Sequence, residues 1–306
     1  MIRIPGGILV SGNLVQDIVV SPIEEVRFGG TVWVERMEEH MGGNGANTSF
    51  AAALLGAHVK LIGMVGCDPF GRAIRERLSQ VDLSLLLTGE GATASSVVLV
   101  RQDGARAFLH RPGVSHEAFA SGFGFTASVV EGCSHYHLAN PFSLPHVRAI
   151  AGRFLADAHG LGLTTSLDTA WDSKNEWMKV LEPCLPYLNL LFVNEDEARL
   201  LTGSADPQIA AAAFGVPSVV VKLGARGCLV YDGGVYAEYP AFPVKVVDTT
   251  GAGDCFAGGF LAGLAHGFAV GRAARLANAV GALSVSRLGS TAGLMGLNET
   301  MALFSV

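Results

Sequence analysis

Asp254 stands directly behind a Gly251-Ala252-Gly253 turn in the run Asp248-Thr249-Thr250-Gly251-Ala252-Gly253-Asp254-Cys255-Phe256-Ala257-Gly258-Gly259, and the small residues beyond it predict a long helix. The first N–H groups of a helix lack intrahelical acceptors and carry partial positive charge, so a turn of glycine and alanine lets a phosphate approach them unobstructed. A carboxylate in that first turn would face whatever attacks the phosphate. The spacing points to an anion hole with its own base; the plainer reading is a strand-to-helix turn that Asp254 merely caps.

A second glycine cluster, Gly42-Gly43-Asn44-Gly45-Ala46-Asn47, offers chemistry of another kind. Gly42 and Gly43 have no side chain to obstruct a polyol, and the Asn47 amide carries both a donor and an acceptor for hydroxyls. Asp17 can accept hydrogen bonds from two hydroxyls at once. Taken singly, these are equally well a helix-initiating loop and a solvated carboxylate.

The elements that must position these groups follow from apolar periodicity. Residues 8–10 and 18–20 predict short strands, with Asp17 just before the second, and residues 31–37 predict an extended piece. A helix is expected over 46–55, a strand over 59–65 and a polar-faced helix over 68–80. Residues 96–101 and 105–110 flank Gln102-Asp103-Gly104, a hairpin signal that lies outside the strand–helix alternation. Together with the extended pieces around 14–40, this hairpin predicts a small β-sheet projecting over a site, where loops and lids exclude water. From residue 130 onward strands at 134–138, 164–167, 190–193 and 218–222 alternate with helices near 146–159 and from 195, the rhythm of a parallel sheet covered on both faces. Residues 228–231 and 235–238 predict a further hairpin.

Several competing chemistries are disfavoured. No GxxxxGK[ST] is present, so a P-loop fold is unsupported. Gly122-Phe123-Gly124-Phe125-Thr126-Ala127 matches GxGxxA but follows a polar stretch rather than an N-terminal strand, which argues against a dinucleotide site. His135 and His137 share one side of a strand but lack a third ligand nearby, so satisfied histidines are the better reading than a metal pair. Asp168 ends a strand where ligands gather and could touch substrate or cap a helix; Trp171 and Trp177 read as packing residues.

With 306 residues, half of them hydrophobic, the chain can bury a large core as one domain. A net charge of −6 with scattered lysine and arginine leaves no footprint for nucleic acid or an anionic membrane, so a small-molecule partner is expected. The uncharged stretch between Asp254 and Arg272 is broken by glycines and reads as a buried helix. Five widely spaced cysteines without a CxxC pair fit reduced, buried thiols, and the N-terminus lacks an export signal; both point to the cytoplasm.

The ordered occurrence of Gly12 to Asp17, GGNGAN, Asn194-Glu195-Asp196-Glu197, Lys222-Leu223-Gly224-Ala225-Arg226-Gly227 and DTTGAGD resembles the ribokinase-like PfkB family of carbohydrate kinases, from about residue 8 to residue 290. The resemblance implies a single ribokinase-like domain over 1–306. Its doubly wound, mostly parallel sheet would have helices on both faces, and its lid sheet would come from about 14–40 and 95–112. It implies ATP and Mg²⁺ as cofactors, with Asp254 as base, Gly251, Ala252 and Gly253 as anion hole, and Asn194 with Glu197 organising Mg²⁺ through water. Lys222, Gly224, Gly227 and Asn278 fall where the family binds nucleotide, while Asp17, Gly42, Gly43 and Asn47 fall where it grips sugar hydroxyls.

Asp248 and Thr250 match two ligands of the family's monovalent cation, implying K⁺. Carbonyls near Ser284, Arg287 and Gly289 could complete that site, although Gly293 replaces a serine often found there. Asn44 replaces a lysine usual in ribokinases and phosphosugar kinases, and Ala139-Asn140-Pro141 lacks the acidic residue ribokinases carry. These departures favour an uncharged sugar and put ribose itself in doubt. Fructose, a related ketose, 2-keto-3-deoxygluconate and a nucleoside remain open as acceptors. A kinase for a vitamin precursor and a non-catalytic sugar- or nucleotide-binding regulator compete with the sugar-kinase function. Unpaired lid edges predict a homodimer formed through the lid.

Overall fold

The computed structural model describes residues 2–103, 105–120 and 123–306. Gly104 of the predicted hairpin turn and Gly122 of the GxGxxA match lie outside the described residues. In chain order the strands are β1 (Gly7–Gly12), β2 (Val15–Ser21), β3 (Arg36–Gly42), β4 (Val59–Gly66), β5 (Leu86–Gly89), β6 (Ser95–Val100), β7 (Arg106–Arg111), β8 (Cys133–Ala139), β9 (Thr164–Asp168), β10 (Leu190–Asn194), β11 (Ser218–Lys222), β12 (Cys228–Asp232) and β13 (Val235–Tyr239). The helices are α1 (Asn44–Leu54), α2 (Pro69–Arg77), α3 (Pro145–Gly160), α4 (Met178–Leu181), α5 (Glu195–Thr202), α6 (Pro207–Ala213), α7 (Ala252–Ala265), α8 (Val270–Val285) and α9 (Leu297–Phe304).

Nine strands form one sheet in the order β13-β12-β11-β10-β9-β8-β1-β4-β5. From β11 to β5 every pairing is parallel, and two antiparallel steps add β12 and β13. Side chains alternate across a strand, so a fully buried parallel strand feeds two cores. Ile8, Val10, Phe192 and Val220 join α1, α7 and α8 in one core, whereas Leu9, Leu191, Val193, Val219 and Val221 join α3 and α6 in the other. Helices thus cover both faces, as a doubly wound sheet requires. A separate four-stranded sheet, in the order β3-β2-β6-β7, carries its own small apolar cluster of Val19, Val98 and Val100.

The parallel arrangement puts the carboxyl ends of β1, β8, β9, β10 and β11 along one edge, the edge at which open α/β sheets bind ligands. Helices α1 and α7 then bring the two glycine clusters together above it. Their close approach depends on Gly258: a Cβ there would lie 2.6 Å from Thr48 O and 2.8 Å from the Ala51 Cβ. Among the described residues no helix is long and apolar enough to cross a membrane.

The structure corrects three expectations. Residues 31–35 are not a strand, because regular pairing begins only where Arg36 meets Ser21. Asp17 lies inside β2, paired between His40 and Ser96, rather than ahead of it. Cys67 is exposed, not buried, since it follows the last residue of β4 as the chain leaves the sheet. Gly258→Val should wedge α1 from α7 and cost about 1–3 kcal/mol, the usual penalty for overpacking; an unchanged urea midpoint would show that the two helices do not rely on this contact.

Candidate active site

The charged residues of the site come from adjacent strand ends held in register. Ala139 lies opposite Asp168, and Asn194 opposite Lys222. Lys222 Nζ donates to Asp168 Oδ1 at 2.6 Å and to Oδ2 at 2.9 Å, so Asp168 is an ion-pair partner rather than a helix cap. One step further along β10, Asn194 caps α5: its Oδ1 accepts the Glu197 N–H at 2.8 Å, and Glu197 Oε2 accepts the Asn194 N–H at 2.9 Å. This reciprocal capping box satisfies two orphan donors of the helix. Thr169 Oγ1 also donates to Glu197 Oε2, at 2.7 Å. Among the described residues Glu197 Oε1 accepts no protein hydrogen bond, which leaves it available to a metal-bound water.

At the start of α7, Gly251 adopts φ 68, a left-handed conformation that suits glycine. A Cβ there would overlap the side chains of Ser290 and Asn47. Ala252 N reaches Thr249 O only at 3.4 Å, and the amides of Gly253 and Asp254 find no protein acceptor among the described residues. A Cβ on Gly253 would lie 3.1 Å from Lys222 Nζ, so the lysine stands against the same turn. Free amides, a helix N-terminus and an ammonium therefore converge where an anion would sit.

The Asp254 carboxylate of the same helix turn is held from α1. Asn44 Nδ2 donates to its Oδ1 at 2.6 Å and Asn47 Nδ2 to its Oδ2 at 3.0 Å. Residues three apart share a helix face, so both amides reach one carboxylate. Each is braced in turn: Asn44 Oδ1 accepts from Asn140 Nδ2 at 3.0 Å, and Asn47 Oδ1 from Ser290 Oγ at 2.8 Å. Part of the Asn47 amide expected to meet hydroxyls is thus already engaged in positioning Asp254.

Electrostatics follows from burial with incomplete compensation. Burial raises the Asp254 pKa, against the pull of the Asn47 and Asn44 donors and of Lys222. Burial likewise pushes Asp168 up to about 7; Lys222 opposes the shift, while Glu197 and Asp254 add to it. For Lys222 itself burial favours the neutral form, but Asp168, Glu197 and Asp254 outweigh it and hold the ammonium above the ordinary lysine range. Asp17 is pushed up to about 6 by burial and by repulsion from Asp248 and Asp254, with the Ser96 hydrogen bond opposing. Three carboxylates thus surround a single ammonium.

Asp17 and Gly42 come from paired strands, and a side chain at Gly42 would overlap the Asp17 carboxylate. Gly43 adopts φ 93 and caps α1. Gly224 and Gly227, both left-handed, form the short turn that leads from β11 into β12. The hydrogen bonds of Asn278 run to Tyr239 O at 2.9 Å and Pro240 O at 3.2 Å rather than to the Asp254 cluster. Asp248 and Thr250 do meet, Thr250 Oγ1 donating to Asp248 Oδ1 at 2.7 Å, but Arg106 of β7 also donates to both.

His135 and His137 share Ser166 as a partner, and burial depresses the pKa of both, His135 to about 3. They are neutral core residues. Trp171 and Trp177 pack edge to face with ring centroids 5.3 Å apart, Trp171 remaining exposed.

Sequence reasoning missed Ser290 and Arg106, and read Asn44 and the Asn140 segment only as departures from ribokinases, not as supports of Asp254. Asn44 was legible in principle, since it stands three residues before Asn47. The others act across separations of 96 to 243 residues, and no local spacing announces them.

Comparison with known proteins accords with this geometry. Residues 8–295 match the sequence profile of the pfkB family carbohydrate kinases. The chain is 28% identical over 305 residues to a ribokinase of Haemophilus influenzae, covering 95% of this chain and 96% of that one. It is 32% identical over 240 residues to a cytidine kinase of Thermococcus kodakarensis, covering 74% of this chain and 81% of that one. A putative ribokinase II from E. coli in complex with ATP and Mg²⁺ superimposes with a TM-score of 0.84 at 26% identity, covering 98% of this chain and 99% of that one. Matched over nearly its whole length and carrying both glycine turns at one sheet edge, the chain belongs to the pfkB family of carbohydrate kinases, phosphotransferases that act on sugar hydroxyls.

Proposed function

We propose that the protein transfers the γ-phosphate of ATP to a hydroxyl of an unphosphorylated sugar. The observation that carries this reading is the Asp254 carboxylate, fixed by Asn44 and Asn47 beside the unpaired amides of Gly253 and Asp254. Phosphoryl transfer asks a protein for positioning and charge stabilisation more than covalent chemistry. Asp254 takes the proton of the attacking hydroxyl, and its raised pKa makes it a better base than a solvent-exposed aspartate. The turn of Gly251, Ala252 and Gly253 binds the transferred group through backbone donors that need no reorganisation.

Lys222, Gly224, Gly227 and Asn278 form the nucleotide side in this reading, Lys222 meeting the phosphates. Magnesium commonly uses one or two carboxylates together with phosphate oxygens, and the free Glu197 oxygen beside Asn194 fits that role through water. Bound there, the metal would neutralise phosphate charge.

Asp17, Gly42, Gly43 and the remaining N–H of Asn47 form the sugar side. Asn44 and Asn140 present amides and no cation, which suits a neutral sugar rather than a sugar phosphate. A nucleoside is the second reading, favoured by the likeness to a cytidine kinase. Burial of ionised groups on both sides of the cleft predicts closure of the small sheet as a lid. Exposed Met37, Phe108 and Leu109 on its outer strands β3 and β7 support pairing with a second copy. Five free cysteines and a requirement for ATP suit the cytoplasm.

An ADP-release screen over pentoses, hexoses, keto-acids and nucleosides should identify an acceptor, and Asp254→Asn should then lose roughly 10² to 10⁴ in kcat while still binding nucleotide. Turnover equal to wild type in that variant would remove Asp254 as base.

Ionised Asp17 accepts from two hydroxyls through both oxygens, whereas protonation turns one of them into a donor, so kcat/KM should fall as pH drops through about 6. Asp17→Asn should lower kcat/KM and lose that limb of the profile. Stability responds with the opposite sign: a carboxylate with a raised folded pKa favours the fold at low pH, and that contribution is lost as pH rises through the folded value. Asp17→Asn should therefore raise Tm at pH 7.5 relative to wild type and not at pH 4; a lower Tm at pH 7.5 would contradict the shift.

Sedimentation at micromolar concentration should give a dimer that Phe108→Glu dissociates. A wild-type monomer would overturn lid pairing.

A further inference from the structure

Arg106 opens β7 on the small sheet, yet its guanidinium reaches into the turn that leads to α7. Nη1 donates to Asp248 Oδ1 at 3.0 Å and to Thr250 Oγ1, while Nη2 donates to Thr249 Oγ1. The same carboxylate organises the turn from within. Its Oδ1 accepts the Thr250 N–H at 2.9 Å, and its Oδ2 accepts the Gly289 N–H at 3.0 Å.

The Asp248 side chain is only 2% exposed, and a buried carboxylate requires a compensating positive charge. Among the described residues Arg106 is the one cationic side chain within salt-bridge reach of it. Two further contacts tie the small sheet to the neighbouring loop. Leu288 packs against Val19, Val98 and Val100, and the His40 ring of β3 occupies the space that a side chain at Gly289 would need. The small sheet is therefore joined to both loops that flank the phosphate-facing turn.

We propose that Arg106 is the resident cation of the Asp248 site, a positioning residue that takes the place of a free monovalent ion and couples the small sheet to the shape of the anion-binding turn. Fork-shaped and permanently charged, a guanidinium can satisfy a carboxylate and two hydroxyls together. Without it, the carboxylate and two threonine hydroxyls form an all-oxygen set of the kind that hard cations favour. Potassium, which the sequence resemblance implied at Asp248 and Thr250, is then excluded by a side chain delivered from the small sheet. The catalytic part of this inference rests on the kinase reading above; the binding part does not.

The test compares potassium chloride with tetramethylammonium chloride at equal ionic strength. In the ligand-free protein, the Tm of wild type should be the same in both salts, whereas Arg106→Gln should melt higher in potassium, because an ion that binds only the folded state stabilises it. This arm needs no turnover, so it stands even if no acceptor is found. With an acceptor in hand, wild-type kcat should not depend on the salt. Arg106→Gln should lose about tenfold in kcat, less than deleting an oxyanion-hole donor costs, and should recover part of it with potassium or free guanidinium.

Potassium raising the Tm or kcat of wild type would overturn the proposal, as would an Arg106→Gln protein indifferent to cations in both readouts. Should Arg106→Gln fail to fold, the wild-type salt response and Arg106→Lys decide, both expected to be potassium-independent; potassium activation of either overturns the assignment.

Discussion

Negative charge buried without full compensation is the constraint on which this structure turns. Asp168, Glu197 and Asp254 lie around the single ammonium of Lys222, and Asp17 and Asp248 add to the field on the side of the small sheet. In a medium of low dielectric each uncompensated carboxylate costs free energy, seen here in the raised pKa values of Asp17, Asp168 and Asp254 and in the donors that Lys222, Asn44 and Asn47 supply to the last two. Such an arrangement is stable only because rigid elements hold it.

Rigidity comes from the way the polar groups share supports. The two asparagines that grip Asp254 stand on α1 and are braced by Asn140 and Ser290, one beyond β8 and the other beyond α8. Asp254 is thereby tied to segments of the chain far apart in sequence. Bare glycine surface lets α1 and α7 approach closely enough for those bonds to form, so the packing that stabilises the core also sets the geometry of the site. Glu197 is held in the same way, closing a helix cap with one oxygen while the other has no protein donor among the described residues.

The small sheet is more than a cover. Its β2 and β3 strands hold Asp17 against Gly42, and β7 sends Arg106 to the turn that leads into α7. The Asp17–Gly42 pair and the turn before α7 are thus mechanically connected.

The alternation of strands and helices, the hairpin around Asp103 and the two glycine clusters were legible in the sequence because each rests on local backbone preference or on the period of side chains. They were enough to identify the fold and the family, and they singled out Asp254 and its turn as the candidate centre. Boundaries failed where local pattern was weak: residues 31–35 look extended but have no strand partner among the described residues, and Asp17 reads as loop although pairing on both sides makes it strand. What only the tertiary structure decided is which distant side chain meets which. That Arg106 answers Asp248, that Asn140 steadies Asn44 and that Lys222 is shared by three carboxylates depend on contacts across tens to hundreds of residues, set by sheet order and helix packing, for which no spacing in the chain is a code.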